Sequence, residues 1–117
     1  MATRSHIGIK QANGSIKYIY CHWDGYPEYN GAILKEHYTT EAKVNELMDL
    51  GDISSLGANI GEKHDFDDYD LIKEKNWCNA YGRDRGETGV EARTGTMKDF
   101  TGQDYNYLFE NEEWKIY

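Results

Sequence analysis

His22 and Asp24 stand two residues apart at the end of a strand-like run. That spacing turns both side chains to one side if the strand continues. A His–Asp pair can orient a general base or bind a divalent metal. No second histidine or carboxylate follows at ligand spacing, and His6, His37 and His64 are scattered. The plainer reading is of turn residues that hydrogen-bond backbone.

A second run, Tyr81-Gly82-Arg83-Asp84-Arg85-Gly86-Glu87, sets two arginines between glycines. Arg83 and Arg85 suit bidentate recognition of a phosphate or carboxylate. The alternative is an Arg–Asp–Glu cluster that stiffens a loop. Tyr26, Tyr29, Trp77 and Tyr81, with Asn30 beside them, offer a stacking platform for a base or a hot spot for a protein. Asp65, Asp67, Asp68 and Asp70 resemble part of a calcium loop, but the glycine and distal glutamate are missing. They read as a solvated acidic face or as a contact surface for a basic partner. The chain has no phosphate-binding loop, dinucleotide fingerprint, nucleophile elbow or zinc spacing, and it implies neither metal nor cofactor.

The elements that must position these groups read as follows. Residues 7–10 and 16–22 form a β-hairpin, and Asn13-Gly14 predicts a two-residue type I′ turn. That turn sets Ile9 opposite Tyr18 and Ile7 opposite Tyr20, with Ile7, Ile9, Ile16, Tyr18 and Tyr20 on one face. Asp24-Gly25-Tyr26-Pro27 stops the second strand. Asn30 then caps a helix through Tyr38, and Thr40 caps another from Glu41 to Leu50, closed by Gly51. Residues 52–57 read as a turn or a single helical turn, and 61–74 as an acidic surface loop with a helical end at Leu71-Ile72. Residues 76–81 read as a strand, 82–95 as a glycine-punctuated mobile stretch, and 96–100 as a short helical turn. A second hairpin joins Tyr105–Phe109 to Trp114–Tyr117. The fold class is α+β: one domain over 1–117, an antiparallel sheet built from N- and C-terminal hairpins, and two short helices packed on one face.

Composition narrows the function classes. A chain of 117 residues, 38% hydrophobic and 14% aromatic, can bury a core. It carries 21 acids against 13 bases, a net charge of −8. An acidic surface argues against direct binding of nucleic-acid backbone. It leaves open a small anion held by one or two arginines, and imitation of nucleic acid by carboxylates. No apolar run reaches the ~20 residues of a membrane span, and the N-terminus lacks the apolar core of a signal peptide. Cys21 and Cys78 read as reduced thiols. These features point to the cytoplasm.

The runs Tyr20 to Gly31 (YCHWDGYPEYNG), Leu50 to Gly57 (LGDISSLG) and Tyr81 to Glu87 (YGRDRGE) together resemble a family of small bacteriophage and prophage proteins. Arg4-Ser5-His6-Ile7-Gly8 and the closing aromatic hairpin extend the likeness over nearly the whole chain. The resemblance brings no catalytic residues with it. It implies a viral or mobile-element accessory protein acting in the cytoplasm of a bacterial host.

Two classes of function follow. In the first, a non-enzymatic accessory protein binds a host protein or a small anionic ligand such as a nucleotide, and blunts a defence or regulatory system. In the second, a small phosphoesterase uses His22 as acid and base, Asp24 to orient it, and Arg83 and Arg85 on the phosphate. Nucleic-acid mimicry by the acidic run is a third reading.

Overall fold

The computed structural model describes residues 2–117. Strands β1 (Ser5–Lys10) and β2 (Ile16–Cys21) form the N-terminal hairpin, and β6 (Tyr105–Glu110) and β7 (Glu113–Ile116) the C-terminal one. Between them lie β3 (Ile53–Ser55), β4 (Asn79–Ala80) and β5 (Arg93–Gly95). The described strands make one mixed sheet in the order β4-β3-β2-β1-β6-β7. Most pairs are antiparallel, but β1 runs parallel to β6 and β2 meets β3 in parallel. The α+β class holds.

The outer edge of β2 is shared. Cys21 pairs with Ile53 of β3, and residues 16–18 pair with β5. Asp52 fills the gap between them. Its Oδ1 accepts from Tyr20 N at 2.9 Å, and its Oδ2 accepts from Arg93 at 2.8 Å. A carboxylate thus satisfies a backbone donor that no strand reaches.

The N-terminal hairpin differs from expectation by one residue. Lys10 pairs with Ile16 and Ile7 with Ile19, across a loop that Gln11 N closes onto Ser15 O at 2.8 Å. Gly14 alone takes a positive φ, +88°, and Asn13 Oδ1 accepts from Ser15 N. This is the three-residue loop with a left-handed glycine, not the two-residue turn. Because side chains alternate, the shift changes which residues share a face. Ser5, Ile7, Ile9, Ile19 and Cys21 face one way; His6, Ile16, Tyr18 and Tyr20 face the other. The two-residue turn with both φ positive occurs instead at Asn111-Glu112.

Helices α1 (Ala32–His37) and α2 (Glu41–Leu50) cover the first face. Leu34, Tyr38, Val44, Leu47 and Met48 pack there against Ile7, Ile9, Ile19, Ile53 and Tyr107. Thr40 Oγ1 caps α2 by accepting from Lys43 N, and Gly51 ends it. Asn30 does not cap α1. It lies buried in a five-residue π-helical turn, Pro27–Gly31, that leads into the helix. The opposite face is also covered: α5 (Met97–Phe100) brings Phe100 onto Ile16, Tyr18 and Leu108.

Helix α3 (Tyr69–Lys75) extends the helical end expected at Leu71-Ile72, and helix α4 (Tyr81–Arg85) starts at the end of the expected strand and runs into the stretch expected to be mobile. Asp68 caps α3 through Leu71 N, and Asn76 ends it in the left-handed conformation. No helix among the described residues is long and apolar enough to cross a membrane.

Candidate functional site

A cleft of about 590 Å³ opens between α1 and α3, with the chain after β3 as its floor. Its size lies within the range of small-molecule sites. Tyr29, Ile33 and His37 come from the α1 side, at spacings of four that keep them on one helical face. Tyr69, Ile72, Lys73 and Asn76 come from α3 at i, i+3, i+4 and i+7. Leu56, Gly57 and Asn59 form the floor, and Trp77 closes one end.

Both walls pin that floor. Tyr38, fully buried at the end of α1, donates its hydroxyl to Gly57 O at 2.7 Å. Gly57 N donates to Cys78 Sγ at 3.3 Å. Burial holds both the Tyr38 phenol and the Cys78 thiol above their ordinary values, so both stay neutral. Lys43 Nζ reaches Ala58 O at 2.9 Å. From the α3 side, Asn59 N donates to Asn76 O and Cys78 N to Asn59 O, each at 2.9 Å.

Two glycines make this approach possible. A Cβ on Gly57 would sit 2.4 Å from Asn76 O, and one on Gly61 would sit 2.4 Å from the Trp77 ring. Gly61 also takes φ +79°. Trp77 therefore packs close against the bare backbone at Gly61, and its ring tilts by 34° to that of His64, with centroids 5.5 Å apart.

The lining chemistry is unusual for so acidic a chain. No carboxylate lines the cleft; Lys73 and His37 are its cationic or proton-accepting groups. Lys73 joins none of the ion pairs among the described residues, and Glu36 comes to 3.8 Å from His37 Nε2. Tyr69 is 62% exposed and Tyr29 44%. Burial pushes the Tyr29 phenol up, with the Asp24 carboxylate adding to it. The two tyrosines are aromatic and solvent-facing at opposite walls.

The residues singled out from sequence divide between this cleft and other duties. Tyr29 and Trp77 both line it. Tyr26 stands beside Tyr29 at 6.2 Å between ring centroids. Asn30 is a scaffold residue: its Nδ2 donates to Trp23 O at 3.1 Å and to Cys21 Sγ at 3.4 Å. Tyr81 stacks on Phe66 at 5.5 Å, away from the lining.

Arg83 is spent inside the protein. Its guanidinium donates to Asp84 Oδ1 and Oδ2 at 2.9 and 3.1 Å, to Ile60 O at 2.8 Å and to Cys78 O at 2.9 Å. Asp84 is fully buried and also accepts from Ala80 N and His64 N. Arg85 pairs with Glu87 and lies over the rings of Phe66 and Tyr81, at 4.4 and 4.9 Å. The expected two-arginine anion site is therefore a salt-bridge cluster, the alternative that the sequence also allowed.

His22 and Asp24 do not form a pair. His22 Nδ1 is bonded to the Tyr20 hydroxyl at 2.8 Å. Asp24 turns the chain at φ +56°, which breaks the alternation that would have aligned the two. The acidic run has local duties: Asp65 Oδ1 accepts from Asp67 N, and Asp68 caps α3. Asp67 and Asp70 remain exposed beside Tyr69. Among the described residues, no three His, Cys, Asp or Glu groups are placed to hold a metal ion.

Tyr69, Lys73, Ile33 and His37 were missed as site residues. The available signal was periodic: Tyr69, Ile72, Lys73 and Asn76 share one face once 69–75 is taken as a helix. Compared with known proteins, the chain matches no family model, no curated protein and no solved structure.

Proposed function

We propose that the protein is a non-enzymatic binding protein, an accessory factor of a phage or prophage, that takes a component of its host's cytoplasm into the cleft between α1 and α3 and thereby modulates it. The observation that carries this reading is the exposure of Tyr29 and Tyr69 on facing walls of a cleft whose floor is pinned by Tyr38 at the end of α1 and Asn76 at the end of α3. Large aromatics held open on a rigid frame bind without a heavy ordering cost. Leu56 and Gly57 of the floor are buried, and Gly57 and Asn59 are hydrogen-bonded to the flanking chain, so the site is pre-formed.

The lining favours capture over turnover. It offers stacking surfaces, two carboxamides, one lysine and the His37 imidazole, with no carboxylate or thiol among the lining residues, while His22 is bonded to Tyr20 elsewhere. The phage and prophage character rests on the resemblance of the three sequence runs.

The test incubates the protein with small-molecule extract from bacterial cells, removes unbound solutes by ultrafiltration, and identifies what denaturation releases. The wild type should retain a compound that the Tyr29→Ala/Tyr69→Ala double variant loses, and should return it chemically unchanged. Retention by the double variant would remove the cleft from the account. Release of a converted product would make the protein an enzyme.

A further inference from the structure

We infer that the ligand of the cleft is a nucleoside phosphate, its base stacked between Tyr29 and Tyr69 with Trp77 at the end of the cleft, and its phosphate held by Lys73. This rests on the cleft being the binding site, as proposed above, and adds the chemical class of what enters it.

In a chain with 21 acidic residues and a net charge of −8, the cleft lining holds no Asp or Glu. Most other cations near it are occupied: Arg83 by Asp84 and two carbonyls, Arg85 by Glu87, and Lys43 by Ala58 O. Lys73 projects from the wall without an ion-pair partner among the described residues. Elsewhere the acidic surface repels anions, so this lysine is a local focus for negative charge.

The rest of the lining specifies what accompanies the anion. Tyr29 and Tyr69 supply open faces on which a planar ring stacks, and Trp77, packed between Gly61 and His64, bounds the end of the cleft. Asn76 carries both a donor and an acceptor in its carboxamide. Asn59 turns its Nδ2 to Lys75 O at 3.1 Å, which leaves its Oδ1 as an acceptor. A nucleobase presents donors and acceptors on its edge in the same way, and a simple aromatic acid does not. A lone lysine grips phosphate as a point charge, with no need of the arginine fork.

Isothermal titration with AMP, GMP, CMP and UMP at low ionic strength tests the inference, with the four matching nucleosides and inorganic phosphate as partial ligands. At least one nucleotide should bind. Its nucleoside should bind about tenfold more weakly, the size of one charge-assisted hydrogen bond. Lys73→Gln should bring the nucleotide down to its nucleoside's affinity and leave the nucleoside unaffected, and Lys73→Arg should restore most of the loss. Tyr69→Ala should weaken both by roughly tenfold, as removal of one stacking partner does.

Equal affinity for the nucleotide and its matching nucleoside, with no effect of Lys73→Gln, would overturn the inference while keeping the cleft as a site for an uncharged ring. Absence of binding by all four nucleotides to folded protein would overturn it outright. Binding that Tyr69→Ala and Lys73→Gln both leave unchanged would place the nucleotide elsewhere, and both this inference and the cleft reading would fall.

Discussion

Arg83→Ala separates a structural arginine from a ligand-binding one. The side chain is 17% exposed, and its partner Asp84 is fully buried. Removing the guanidinium deletes four hydrogen bonds and leaves Asp84 with only Ala80 N, His64 N and the His64 ring, whose Nε2 lies 3.5 Å away. Breaking one partner of a buried ion pair costs about 3–5 kcal/mol. Unfolding entropy scales with length, so in a chain of 117 residues each kcal/mol moves the midpoint by about 4 °C. The expected loss is about 12–20 °C in Tm, read by calorimetry, with a parallel fall in the urea midpoint. Below its lowered midpoint the variant should still bind the cleft ligand. An unchanged Tm together with lost binding would refute the reasoning and return Arg83 to the ligand site.

Other consequences follow from the same geometry. Tyr107→Phe removes the bond its hydroxyl donates to Gly25 O at 2.6 Å, a buried contact that ties the loop before Tyr29 to the sheet. It should cost about 1–3 kcal/mol in urea unfolding and weaken cleft binding as Tyr29 loosens. Burial holds the His6 imidazole below its ordinary 6.5, against the opposing bond to Phe100 O. The unfolded chain therefore binds a proton that the folded chain resists. Stability is present above about pH 6.5 and falls as pH drops below it, and His6→Phe should flatten that part of the profile. Burial also pushes the Cys21 thiol up to about 12 and raises Cys78. Neither cysteine should react with a thiol reagent faster than the native protein unfolds, as followed by mass spectrometry.

What the sequence disclosed was mostly local. The second helix was bounded correctly because Thr40 and Gly51 act on their own neighbours, whatever the rest of the chain does. The C-terminal hairpin was legible for the same reason. Asn13-Gly14 misled because the dipeptide suits two loop lengths; the one adopted bonds Asn13 to Ser15 and moves the register by a residue. The parallel pairing of β1 with β6 joins segments about a hundred residues apart, and no local pattern encodes it.

The site was half legible. Tyr29 and Trp77 stood out as aromatics beside strand ends, yet nothing in the sequence shows that α3 carries Tyr69 and Lys73 to face them. Arg83 looked available because its partners Ile60 and Cys78 lie outside its run. Free cations and spent cations have the same sequence; only the tertiary contacts tell them apart.

The chain holds three tryptophans, and they stand at three distinct places. Trp77 lines the cleft, Trp23 is exposed on the loop after β2, and Trp114 donates its indole N–H to Tyr38 O at 2.8 Å. A ¹⁵N spectrum of the indole N–H groups, recorded during titration with the compound retained from cell extract, locates binding from three signals. The account predicts that the Trp77 signal moves saturably while those of Trp23 and Trp114 stay in place. Movement of Trp23 with Trp77 unchanged would put the ligand on the loop after β2 and contradict the assignment of the cleft.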